Sequence, residues 1–243
     1  MNEDAQAGLL LALGVLAVRL GLTDAHLAYI QPAMGPVLAL AGAVLAALGG
    51  VVLLRPGRQS TRVSGASHTG GGHEHASRIA WLLVAPVLAI AVVVPRPLGA
   101  FAANRAAATL PPPARADFGP LPTPAVPGGP VDLSLKDFAG RAVYDPGRSL
   151  AGAPVRLVGF VTADARGGGF LLTRFIVTCC AADARPVRVA IRGLAPPWPL
   201  PDTWLEVTGT WRPERRSAED ARPPVLDATG LRPTLAPANP YLR

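Results

Sequence analysis

The sequence predicts a chain in two parts, a membrane α-helical N-terminal half and a soluble, mostly β C-terminal domain. Three observations predict it. Charge is scarce and unevenly spread: 16% of the 243 residues are charged, mean hydropathy is +0.33, and the charges collect after Leu150, whereas an average soluble domain carries about 25% charged residues. Three long apolar stretches lie before Gly99. After Pro154 the hydrophobic period changes from helical to alternating, the signature of strands with one buried face.

The apolar stretches run from Ala7 to Leu22, from Gly35 to Leu54 and from Ile79 to Val94. A membrane helix needs about 20 apolar residues, within a range of about 17–25. The second stretch meets that outright, and the flanks of the others extend them, so helices are expected at about 7–22, 35–54 and 79–95. Tyr29 and Trp81 stand near segment ends, where interfacial aromatics belong. Pro86 predicts a kink in the third helix, which membrane helices tolerate. The first segment opens on Met-Asn-Glu-Asp, acidic where a signal peptide is basic, so it reads as a retained helix. Arg19 near its end reads as a snorkelling interfacial side chain or as a charge for a partner subunit.

Loop charge sets an expected orientation. Thr23–Met34 holds no Lys or Arg, whereas the second turn holds Arg55, Arg58, Arg62 and Arg78 against Glu74. The positive-inside rule puts that second turn in the cytoplasm. Three spans then leave the N-terminus cytoplasmic and the C-terminal domain extracytoplasmic, although Arg96 and Arg105 pull the other way.

The domain plan is a transmembrane region over residues 1–99, a proline-rich linker over 100–130 and a soluble β-rich domain over 131–243. Residues 111–130 contain eight prolines, which makes a semi-rigid spacer that would hold the domain off the membrane. Ser134 is an N-cap with Asp137 three residues on. Leu135, Phe138, Ala139, Ala142 and Val143 form one apolar helical face, and Asp145-Pro146-Gly147 stops the helix. Strands follow at Val155–Thr162, Gly169–Thr178, Pro186–Arg192, Thr203–Trp211 and, more weakly, Val225–Leu235. Five short strands joined by turns predict a small five-stranded OB-like barrel, with a β-sandwich as the alternative.

The net charge of +7 invites a nucleic-acid reading, but the β domain has 15 cations against 11 anions, intermixed, and aromatics are 5% of the chain. A nucleic-acid interface needs a basic stripe with interleaved aromatics, so no nucleic-acid partner is expected. Nearly every cation is arginine, Lys136 being the one lysine.

The strings Gly159-Phe160-Val161, Arg174-Phe175-Ile176-Val177-Thr178-Cys179-Cys180-Ala181-Ala182-Asp183-Ala184 and Trp204-Leu205-Glu206-Val207-Thr208-Gly209-Thr210 resemble the YcgQ-like family of bacterial membrane proteins. The paired apolar helices and the histidine-containing loop also fit that family, and the RFxxxCCxAD pattern is the most specific part of the match. The resemblance implies an uncharacterised membrane protein acting as a permease subunit beside a multi-span permease partner. It lends little chemistry.

Two clusters carry candidate chemistry. His68, His73 and His75 crowd a glycine-rich loop with Glu74; imidazoles so spaced capture transition metals such as zinc, nickel or copper, though ordering such a loop costs entropy. Cys179 and Cys180 are the only cysteines and are adjacent, with Asp183 close behind. Thiolates bind soft metals, and vicinal cysteines also form strained disulfides; the plain alternative is two small buried residues. Neighbours on a regular strand face opposite ways, so both thiols serve one site only where the strand ends. The weak strand propensity of Ala181-Ala182-Asp183-Ala184 puts that end here. In the expected topology the two clusters lie on opposite membrane faces. Nucleophile elbows, Walker loops and dinucleotide fingerprints are absent from the sequence, so no enzyme is expected. The sequence therefore points to an accessory subunit of a membrane permease whose outer domain docks a partner or presents substrate. The alternative is a metal-binding or redox-sensing membrane protein using the vicinal cysteines.

Overall fold

The computed structural model describes residues 3–54, 96–106, 118–145, 149–214 and 222–242. It divides into two compact units, Met1–Arg96 and Pro97–Arg243. The third apolar stretch and the histidine loop with His68, His73 and His75 lie outside the described residues.

In the first unit, α1 (Glu3–Leu22) and α2 (Gly35–Leu54) form an antiparallel hairpin joined by two 3-10 turns, Asp24–Ala28 and Pro32–Met34. Glycine at seven-residue spacing makes the seam. A Cβ on Gly42 would sit 2.7 Å from the Gly14 carbonyl oxygen and 2.7 Å from the Val18 nitrogen, and one on Gly49 would sit 2.7 Å from the Ala7 carbonyl oxygen. Such small residues let backbones meet where lipid supplies no hydrophobic drive. The structure spends Gly42, Ala46 and Gly49 on α1 and leaves Gly50 in open space. Including its leading turn, Pro32–Leu54 is 23 residues long, contains an 18-residue window of mean hydropathy 2.6 and is long and apolar enough to cross a membrane; Gln6–Leu22 is apolar but shorter.

The second unit contains α3 (Ala100–Arg105), β1 (Val131–Asp132), α4 (Leu135–Tyr144), β2 (Pro154–Ala163), β3 (Phe170–Ile176), β4 (Arg185–Arg192), β5 (Trp204–Arg212) and β6 (Val225–Pro233). They form one mostly β, six-stranded sheet. β2 pairs antiparallel with β3 and β3 with β4; β4 pairs parallel with β6, and β6 antiparallel with β5. β5 also pairs antiparallel with β2, from Pro154↔Thr210 to Phe160↔Trp204, so the chain of pairings returns to its start. The two-residue β1 joins the beginning of β2 in parallel.

The core lies inside this ring. Leu157, Leu172, Val189, Val207 and Leu226 point inward from the five long strands and are fully buried. Leu135, Phe138, Ala139 and Ala142 of α4 pack on them, each large side chain contributing about 1.5–3 kcal/mol by leaving water. The Ser134 hydroxyl accepts from the Asp137 amide at 3.0 Å, the capping bond that the sequence predicts. At the β2–β3 hairpin Gly169 has φ +157°, and a Cβ there would lie 2.2 Å from the Ile191 carbonyl oxygen.

The stretch 100–130 does not behave as a free spacer where it is described. Ala100 and Ala103 of α3 are buried with Phe160, Phe175, Val177 and Tyr241 on the outer side of the sheet. The Ala100 amide donates to Asp202 Oδ1 at 2.6 Å, the Leu98 amide donates to the Tyr241 hydroxyl at 3.1 Å, and Arg188 donates to the carbonyls of Ala106 at 3.0 Å and of Ala103. At the far end Arg141 donates to the Phe118 and Gly119 carbonyls at 2.9 and 3.0 Å. The six residues of α3 are anchored by Asp202 and Arg188, far away in the chain, which is why α3 was not legible.

Candidate metal centre

The site sits where β3 stops. Beyond Ile176 the chain is held by the C-terminal segment: the Leu242 amide donates to the Phe175 carbonyl at 2.7 Å, and Val177 donates to the Leu242 carbonyl at 3.4 Å. Arg174 holds that segment from β3, donating to the carbonyls of Asn239 at 2.8 Å, Pro240 at 3.1 Å and Tyr241 at 3.3 Å. Burial of its guanidinium pulls the Arg174 pKa down from its ordinary value.

From this anchor the backbone bends at Thr178 and Cys179, and a 3-10 turn, Ala181–Asp183, follows. Asp183 makes the bend. Its Oδ1 accepts from the Thr178 amide at 2.7 Å, and its Oδ2 accepts from the Cys179 amide at 2.7 Å and the Cys180 amide at 3.2 Å. Three successive amides thus converge on one carboxylate. The result is one local cluster: the Cys179 and Cys180 sulfurs and an Asp183 carboxylate oxygen all lie within 4.8 Å of one another. Cys179 is exposed, and Cys180 and Asp183 are half-buried. Both cysteines are free thiols.

The electrostatics are those of a closed hydrogen-bond cycle. The Asp183 carboxylate, accepting from the Cys179 thiol, pushes the thiol pKa up to about 11, helped by Cys180. In return the Cys179 thiol, with the three amides, holds Asp183 down to about 2. Cys179 is therefore a protonated donor at neutral pH, and reactive redox cysteines need the opposite, a lowered pKa. A carboxylate offers about four lone-pair positions; three receive amides and the fourth the thiol. A cation that displaces the thiol proton frees that fourth position beside a newly formed thiolate. The set then presents two sulfurs and one oxygen, donors suited to a d10 ion such as zinc.

Residues 141–242 match the family model described as the DUF1980 C-terminal domain. That segment of uncharacterised function runs from within α4 through the five long strands to the C-terminal anchor, and it contains the whole Cys179–Cys180–Asp183 turn. No curated protein and no solved structure matches the chain.

Within the matched segment the sequence named Cys179, Cys180 and Asp183, and the structure brings them together. It missed the amide-gathering role of Asp183, whose signal was the position three residues after Cys180, as in a capping box. It also missed Arg174, which carried no signal because its acceptors are carbonyls 65–67 residues away. A second concavity of about 180 Å³ is lined by Asp164, Arg166, Arg192, Arg212, Glu214 and Arg222, among others. Its arginines are partly spent internally: Arg192 pairs with Asp164, and Arg212 Nε donates to Asp227 Oδ2 at 2.7 Å.

Proposed function

We propose that this chain is a membrane-anchored accessory subunit of a multi-span permease whose β domain captures a soft or borderline transition-metal ion, such as zinc, at Cys179, Cys180 and Asp183. The observation that carries the reading is the convergence of these three donor atoms within 4.8 Å on an accessible turn. Among the described residues three donors converge, one fewer than the four that close a structural zinc site. Metal capture is favoured over redox sensing because a carboxylate oxygen of Asp183 stands with the two sulfurs, a third donor that thiol redox chemistry does not use.

The finer architecture belongs to the same reading. The pairing order β2-β3-β4-β6-β5 with β5 returning to β2 supports an OB-type barrel, the cysteine turn lying at the end of its second long strand. The three apolar stretches support a multi-pass anchor with the domain extracytoplasmic, and the YcgQ-like resemblance supports the permease partner.

The test uses the full-length protein in mild detergent, titrated with zinc against a chromogenic chelator, beside a Cys179→Ser/Cys180→Ser variant with matching circular dichroism. One tightly held equivalent in the wild type, lost in the variant, is expected. Equal binding by the two proteins refutes the metal site. Copurification from native membranes tests the partner separately, and repeated recovery of the chain alone refutes the permease reading.

A further inference from the structure

The three most exposed large apolar side chains of the second unit are Leu235 at 88%, Leu200 at 77% and Phe101 at 70%. They gather at one end of the sheet. Phe101 follows Ala100, whose amide is bonded to Asp202, two residues after Leu200. Leu235 follows Thr234, whose amide donates to the carbonyl of Trp204, two residues after Asp202. Soluble proteins scatter exposed apolar residues singly; a gathered set marks an interaction surface.

The chain enters the β unit at this end. The apolar stretch Ile79–Val94, read from the sequence as a membrane span, stops four residues before Leu98, which packs against the second hydrophobic cluster of the β unit. Four residues reach at most about 14 Å. The β unit is therefore tethered at this end, ahead of the proline-rich stretch. The charge agrees: Arg105 is exposed here, and its guanidinium lies 4.0 Å from the Phe101 ring centroid. An aromatic ring with a cation beside it suits the headgroup boundary, where rings sit among headgroups and arginine meets anionic phosphate.

We propose that this end of the β unit rests on the lipid surface, with Phe101, Leu200 and Leu235 in the headgroup–acyl boundary and Arg105 against anionic headgroups. The proposal rests on the membrane-anchored part of the proposed function and is independent of the metal site.

The experiment reconstitutes the full chain, in the Cys179→Ser/Cys180→Ser background, into vesicles of phosphatidylcholine and phosphatidylglycerol. Spin labels are placed singly by Phe101→Cys, Leu200→Cys and, as a solvent control, Val126→Cys, which is 64% exposed. Leu48→Cys on α2, 56% exposed, reports the anchor itself. Collisions with oxygen, which partitions into lipid, are compared with collisions with a water-soluble nickel chelate. Labels at 101 and 200 are expected to favour oxygen and the label at 126 to favour nickel. Replacing Arg105 by Gln should lower the docked-to-undocked ratio about fivefold. Labels at 101 and 200 that favour nickel as the one at 126 does overturn the proposal. So do labels inaccessible to both reagents, which would mean that a protein covers the patch. A label at 48 that favours nickel removes the membrane reading itself, a separate failure.

Discussion

Replacing Asp183 by Ala separates its two roles. In the folded turn its carboxylate accepts three amides, at 2.7, 2.7 and 3.2 Å, and the Cys179 thiol as well. A cap of this kind is worth ~1 kcal/mol, and solvent access keeps three bonds near that figure. The loss corresponds to a fall in melting temperature of ~3 °C for a unit of this size. The thiol changes more. Cys179 stands at about 11 against an ordinary 9.0, with Asp183 the largest cause and Cys180 the next, so its release multiplies thiolate at pH 7.5 by at most ~100. The more acidic thiolate is intrinsically less nucleophilic by about eightfold. The net expectation is alkylation by iodoacetamide up to ~10-fold faster than in the parent, measured in a Cys180→Ser background so that one thiol reports. Unchanged or slower alkylation refutes the hydrogen-bond cycle, and a fall in melting temperature of ~15 °C or more would mean that the turn is part of the global core.

The same cycle fixes a pH window. Asp183 is depressed from 3.8 to about 2, so its contribution is present above 3.8 and lost as pH falls toward 2; Cys179 is raised to about 11, so its contribution is present below 9 and lost as pH rises toward 11. Amide shifts of Thr178 and Cys179 should therefore titrate with an acid midpoint near the depressed value, and a midpoint at 3.8 would contradict the bonding. Elsewhere in the sheet, Thr162 and Thr173 share a hydroxyl–hydroxyl bond of 2.7 Å and are fully buried. Either change to Val should cost about 1–3 kcal/mol in denaturant unfolding, and the double change should recover much of it; fully additive losses would show that the pair is not coupled. In the hairpin, Gly42→Leu drives a side chain into the Gly14 carbonyl oxygen, already 2.7 Å from an ideal Cβ, and should part α1 from α2, read as faster amide exchange along both helices, whereas Gly50→Leu, in open space, should leave exchange unchanged.

How much was legible in the sequence follows from which signals are local. Strand positions came within one or two residues because their alternation reports a two-sided sheet, as in Val155 through Val161. The helix cap at Ser134 is written in adjacent residues. The two-residue β1 is too short to show a period. The anchoring of α3 depends on Asp202 and Arg188, some 80–100 residues away. The donor set was legible because cysteine and aspartate are chemically specific and a strand end lets neighbours share a face. The turn's electrostatics were not, because they depend on three amides pointing at one carboxylate.

The central claim is that a metal ion is held by both sulfurs and the carboxylate. X-ray absorption at the zinc edge of the zinc-loaded full-length protein tests it most directly. The account predicts two sulfur neighbours at about 2.3 Å and lighter oxygen neighbours at about 2.0–2.2 Å, the sulfur shell vanishing in the Cys179→Ser/Cys180→Ser variant. A shell of nitrogen and oxygen alone in the wild-type protein would contradict it.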